Sequence, residues 1–274
     1  MIALRVVALP CNFSPMLEAA LFGALAQSAL LVGALLVWKF PKLKNPMYVG
    51  GLMAFGAGAV ISAVSIDLVA VSYDEAGAGP TAIGIAIGCL IYFGIIALIE
   101  RSTHAEAPIS EPDLVAPGAP VVTHGATKKE ARNMTIGMVI DGVPESVAIG
   151  LTLHTATAGA SAALVGSIFI AAIPEAIGIA AALLAGGIVL GKILLRFSFI
   201  VVIGAVFAAL GYTLLYNASD ATQAIIQSIA AGALLVVVIN EMIPIAVRNI
   251  KHWAGIIGVA GFVFSAGLTW ATGG

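Results

Sequence analysis

The chain has 274 residues, of which 61% are hydrophobic and 9% charged, with a formal net charge of −2 and a mean hydropathy of +1.10. A soluble domain carries about 25% charged residues, so a water-soluble globular protein is excluded, and without a basic stripe nucleic acid has nothing to bind. Two cysteines, Cys11 and Cys89, are too few and too separate for a disulfide framework or a thiolate metal site. Both are expected to be small buried hydrophobes.

The composition instead fits an all-α polytopic membrane protein. Crossing the hydrocarbon core takes about 20 apolar residues. Eight segments qualify in chain order: 16–38, 47–72, 81–99, 134–155, 160–185, 197–216, 221–247 and 252–272. Only a short apolar run follows Arg5 before Pro10, so the first span is expected to act as its own insertion signal. The second carries Gly50, Gly51, Gly56 and Gly58, and the eighth Gly255, Gly258, Gly261 and Gly267. Small residues at such spacing let helices approach closely. Between the third and fourth spans, residues 100–133 contain Pro108, Pro112, Pro117 and Pro120 with no apolar periodicity, and are expected to be a disordered cytoplasmic loop. His104 and His124 are expected to be solvated there.

Orientation follows from the basic residues. Lys39, Lys42, Lys44, Arg101, Lys128, Lys129, Arg132, Lys192, Arg196, Arg248 and Lys251 all fall in alternate loops, and only Arg5 lies on the opposite side. Basic residues accumulate on the cytoplasmic face, so both termini are expected outside the cytoplasm.

Within this apolar frame, six acids fall in or at the edge of the spans: Glu18, Asp67, Asp141, Glu145, Glu175 and Glu241. Glu18 and Asp67 sit near outer helix ends and are expected to reach the interface, as is His154. The others follow a pattern. Ile140 to Glu145 and Ile170 to Glu175 each read Ile, three residues, Pro, Glu. An ionisable group at mid-membrane costs roughly 2.5–3.5 kcal/mol on insertion scales, so it is rarely there without a task. Proline lacks an N–H, so Pro144 frees the carbonyl of Ile140, and Pro174 that of Ile170. Asp141 and Glu145, about 40° apart on a helix, share a face. Glu175 reaches similar depth from the opposite direction. Asn240 and Glu241, followed by Met242, Ile243 and Pro244, echo the pattern nearer the cytoplasm and suit an exit path. Three carboxylates so close need either bound protons or a cation, and the freed carbonyls favour the cation. No hydrolase, zinc-protease or phosphate-loop signature is present, and an enzyme is not expected.

Eight helices with both ends outside, a long loop after the third, and Pro-Glu motifs in the fourth and fifth resemble the ZIP (Zrt/Irt-like) metal transporters. The resemblance covers nearly the whole chain in topology, and its specific motifs lie in helices four to seven. In that family helix four reads His-Asn-x-Pro-Glu-Gly and helix five His-Glu-x-Pro-Glu, together holding two metals. Here Glu145 and Glu175 match the motif glutamates, and Glu241-Met242-Ile243-Pro244 resembles the helix-seven element. Asp141, Gly142 and Ser146 stand in place of the histidine, asparagine and glycine, and Ala171 and Ala172 in place of the helix-five pair. What the resemblance implies is a ZIP-like bundle in a bacterial inner membrane. It carries a divalent metal ion (zinc, manganese or iron) as substrate, with Asp141, Glu145 and Glu175 as ligands and no organic cofactor. Asn240, Glu241 and Asp67 are secondary or pathway positions. Oxygen-only ligands shift preference from zinc toward manganese, magnesium or calcium. The expected partners are the lipid bilayer and the metal ion, with a homodimer left open. Two other readings stand: a site-degenerate relative acting as a metal or pH sensor or interaction protein, and a carrier of another solute in which the glutamates shuttle protons.

Overall fold

A computed structural model describes residues 14–104, 128–155, 158–215 and 218–272. Eight helices are described: α1 Pro15–Lys39, α2 Pro46–Ala76, α3 Ala78–His104, α4 Lys128–Thr155, α5 Ala158–Ala185, α6 Leu190–Leu215, α7 Asp220–Ile250 and α8 Trp253–Thr272. No strand occurs among the described residues.

Local chemistry sets several boundaries. Asn45 caps α2 by accepting from the Met47 N–H at 2.9 Å, with Pro46 at the first helical position, where its missing N–H costs nothing. Ser219 caps α7 in the same way through the Thr222 N–H. The helix α1 is interrupted at Ser28, whose hydroxyl donates to the Leu25 carbonyl at 2.6 Å. Three expected boundaries move. The first turns of α6 begin at Leu190 rather than 197, so Lys192 and Arg196 are helical. Arg101 to His104 continue α3, and Lys128 to Asn133 open α4, so both ends of the expected loop are helical. Residues 105–127, with His124, lie outside the described set.

Seven of the helices are long and apolar enough to cross a membrane. On α4 the described apolar stretch is Gly142–Leu153, about 18 Å of helix against a core of about 30 Å. Over its described residues the chain is an all-helical integral membrane protein with seven to eight such helices. Its outer surface fits lipid: Leu90, Phe93, Leu195, Phe199, Val259 and Val263 are all exposed, a belt that water would not tolerate. Cys89 belongs to that surface and is exposed, which corrects the expectation of a buried thiol. It follows Gly88, which packs against α7, so Cys89 falls on the outer side of α3. Cys11 lies outside the described residues.

Inside the bundle, α5 packs on α1, α2, α4 and α8, while α6 covers α1 and α4, and α3 covers α7. The core window of α5 is 72% buried, against 22% for α3 and α8, which makes α5 the axis. The expected close approach of α2 and α8 is real at Gly58, which meets the Gly258 carbonyl, and at Gly261, which meets that of Phe55. Among the described residues nothing approaches Gly255 or Gly267 in the same way. Buried hydroxyls tie the helices further: Ser167 to Ser265 at 2.7 Å, and Ser72 to the Ala224 carbonyl at 2.9 Å.

Two π-helical turns interrupt the ladder, Val64–Ala70 in α2 and Val238–Met242 in α7. Such turns frequently mark functional sites. The second precedes Pro244, which cannot donate to the Asn240 carbonyl, so the helix widens. In the first, the Asp67 carbonyl accepts from Gln227 Nε2 of α7 at 3.4 Å, which draws it off the α-helical ladder.

Candidate cation site

The helix runs through Pro144 on α4 and through Pro174 on α5, so each proline leaves a carbonyl without its donor inside a continuous helix. Glu145 follows the first and is half-buried. Its Oε2 accepts from the side-chain amide of Gln27 on α1, at 3.1 Å. Gln27 is 3% exposed and is the last residue before the Ser28 break.

The glutamine lies in a socket cut for it. A Cβ on Gly204 of α6 would come within 2.5 Å of Gln27 Cγ, and one on Gly142 of α4 within 3.1 Å of Gln27 Nε2. Ser146 donates its hydroxyl to the Gly142 carbonyl at 2.7 Å, which folds it back onto α4 beside Gly204. Gly142 and Ser146, read in the sequence as departures from a motif, therefore line the seat of Gln27.

Glu175 follows Pro174 and is likewise half-buried. Its turn is fixed by close backbone approaches. A Cβ on Gly33 of α1 would lie 2.5 Å from Ala176 Cβ and 2.9 Å from the Ile173 carbonyl. One on Gly56 of α2 would lie 3.1 Å from Ala171 Cα and 2.9 Å from Met242 Cε. Ala171 and Ala172 are 3% and 6% exposed, and serve as packing surface. Gln27 and Gly33 are six residues apart, about 9 Å along α1. One helix thus touches the Glu145 turn of α4 and the Glu175 turn of α5, and α4 and α5 are themselves in contact.

The expected third ligand, Asp141, lies on α4 one turn before Glu145, and its side chain is outside the described set, as are those of Glu241 and His154. Among the described residues no three His, Cys, Asp or Glu side chains gather as a metal-binding group. Asn240 is exposed on the α7 π turn, and Glu18 is exposed at the start of α1. Asp67 departs from expectation: it is 6% exposed, held inside the bundle between α7 and α8 rather than at the interface. A surface groove at the other end, lined by Met47, Asn249, Lys251 and Trp253, has no carboxylate among its described lining residues.

Gln27 belongs to no motif in the sequence, yet it is a partner of Glu145. It is a lone amide in the apolar run 16–38, and a polar side chain at mid-membrane depth finds a partner on another helix. The arrangement offers carboxylate, amide and carbonyl oxygens in an apolar frame, the donor set that hard cations take. No protein-family model matches the chain, and no curated protein matches it.

Proposed function

We propose that the chain is a membrane carrier for a divalent metal cation, of the ZIP type that its Pro-Glu pair resembles. Glu145 and Glu175 supply carboxylate ligands, Asp141 adds a third from the same face as Glu145, and the carbonyls freed by Pro144 and Pro174 add neutral oxygens. Asp67 and the Asn240–Glu241 turn lie along the route, toward the outer and the cytoplasmic side respectively, with both termini outside. Zinc, manganese and iron are the candidate substrates, and a ligand set of oxygens favours manganese over zinc.

One observation carries this reading: a half-buried glutamate, on a proline-interrupted helix, oriented by a buried amide from a neighbouring helix. A buried amide that holds a carboxylate fixes the orientation of that side chain, as partners behind metal ligands do.

The test is metal-dependent thermal stability of the purified protein. A ligand bound to the folded state alone raises the melting temperature by mass action. Manganese or zinc is expected to stabilise the parent and to leave Glu145→Gln and Glu175→Gln almost unmoved. Variants that keep the full response remove both glutamates from the site. A parent that carries solute with pH but no metal would assign the proton-shuttling carrier instead, and metal binding without flux would assign a sensor.

A further inference from the structure

The buried carboxylate of Asp67 has chemistry of its own. It sits on the π turn Val64–Ala70, and its side chain accepts a single described hydrogen bond, from Thr269 Oγ1 to Oδ2, at 3.5 Å. That is the outer limit of such a bond. Beside it, Gln227 is fully buried and donates Nε2 to the Asp67 backbone carbonyl at 3.4 Å. This fixes the amide the right way round and leaves Gln227 Oε1 enclosed with no donor among the described residues.

The arithmetic is one-sided. A carboxylate accepts about four hydrogen bonds and an amide oxygen about two, whereas the described donor to these side-chain oxygens is one hydroxyl. Buried acceptors are almost always paired, so this excess of oxygen calls for a positive centre. Charge then decides which one. The carboxylate contributes one negative charge. Among α2, α7 and α8 the one basic residue, Arg248, lies at the opposite end of the bundle. The acids at the near end, Asp74, Glu75 and Asp220, are exposed to solvent. A monovalent cation neutralises Asp67, while a divalent one would leave a net charge among apolar side chains. Neither imidazole nor thiolate is present on α2, α7 or α8, so these helices offer the ion oxygen ligands, the kind that hard cations take. Oxygen ligands at a widened helical turn are the setting in which carriers hold sodium.

We propose that Asp67, Gln227 and Thr269 form a site for one small hard monovalent cation of the sodium class, separate from Glu145 and Glu175. The carboxylate and the amide Oε1 are the principal ligands, and the Thr269 hydroxyl turns its lone pair to the ion.

The test uses the full-length protein in detergent, melted in sodium chloride or in choline chloride at equal ionic strength. Sodium is expected to raise the melting temperature saturably and choline is not. Asp67→Asn and Gln227→Met should each abolish the sodium-dependent rise. Thr269→Val, nearly isosteric, should raise the sodium concentration for half the shift by about tenfold if one oxygen ligand is lost; this variant decides the matter should the other two fail to fold. Glu145→Gln should respond to sodium as the parent does, so the proposal stands or falls independently of divalent-metal transport. It is overturned by a parent indifferent to sodium, including one whose melting follows pH alone because Asp67 carries a proton. It is also overturned by a sodium response that survives Asp67→Asn, or by one lost in Glu145→Gln. A manganese response that Asp67→Asn removes, with none to sodium, would likewise overturn it.

Discussion

Gln27 donates its side-chain amide to Glu145 Oε2 at 3.1 Å, joining residues 118 positions apart. The bond ties α1 to the helix that carries the first Pro-Glu motif, inside a socket of two glycines. An amide is always a donor at this nitrogen, whatever the pH, so it offers the carboxylate a fixed partner.

Replacing Gln27 with methionine keeps the unbranched length and removes the donor. Hydrogen bonds to charged groups contribute about 1.5–3 kcal/mol. Loss of a partner behind a metal ligand lowers affinity about 10–100-fold. Gln27→Met is therefore expected to fold and to bind manganese at least about tenfold more weakly by calorimetric titration. Parental affinity would show that the bond does not position the ligand.

The socket makes its own prediction. A methyl at Gly204 would press on Gln27 Cγ, and overpacking a tight contact costs about 1–3 kcal/mol. Gly204→Ala should lower the melting temperature, and Gln27→Ala in the same chain should recover much of the loss. Strictly additive effects in this double-mutant cycle would mean that the two residues do not share the space.

Ala171 occupies the position of the first histidine in the helix-five motif that the sequence resembles. Its Cα backs onto Gly56, and it is 3% exposed, so the position lies in a packed seam. Ala171→His is expected to destabilise the protein by about 1–3 kcal/mol through overpacking, with no gain in zinc affinity on titration. A stable variant that binds zinc more tightly would show that the position faces the site.

Topology rests on whether α4 crosses the membrane, since its described apolar stretch is short. With eight crossings, a single cysteine placed in 105–126 is shielded from impermeant thiol reagents in intact cells, and one after Thr272 labels. The native Cys11 and Cys89, the latter exposed on the lipid side of α3, are replaced by serine first. Labelling of the linker from outside would break the alternation.

Much of the fold was legible because long apolar runs and charged loops obey the bilayer's length and polarity rules. Segment boundaries shifted where charges joined helices, as with Lys192 and Arg196 in α6, since a helix can continue into the interface while its ends stay charged. The glutamates were legible as costly groups. Their partners were not: Gln27 meets Glu145 only through the packing of α1, α4 and α6, and no spacing rule links residues so distant. Asp67 lies near a helix end, but nearness to an end does not expose it, because α7 and α8 close over it. The π turns were illegible for the same reason, except that Pro244 marks one of them.

The central claim, that Glu145 and Glu175 hold a divalent metal ion in transit, is tested most directly by manganese uptake into proteoliposomes. The parent is expected to accumulate manganese above empty vesicles. Glu145→Gln and Glu175→Gln should each fall to background, with the double variant no lower, because groups that act as a unit are non-additive. A parent that accumulates neither manganese nor zinc, or single variants that transport at the parental rate, would contradict it.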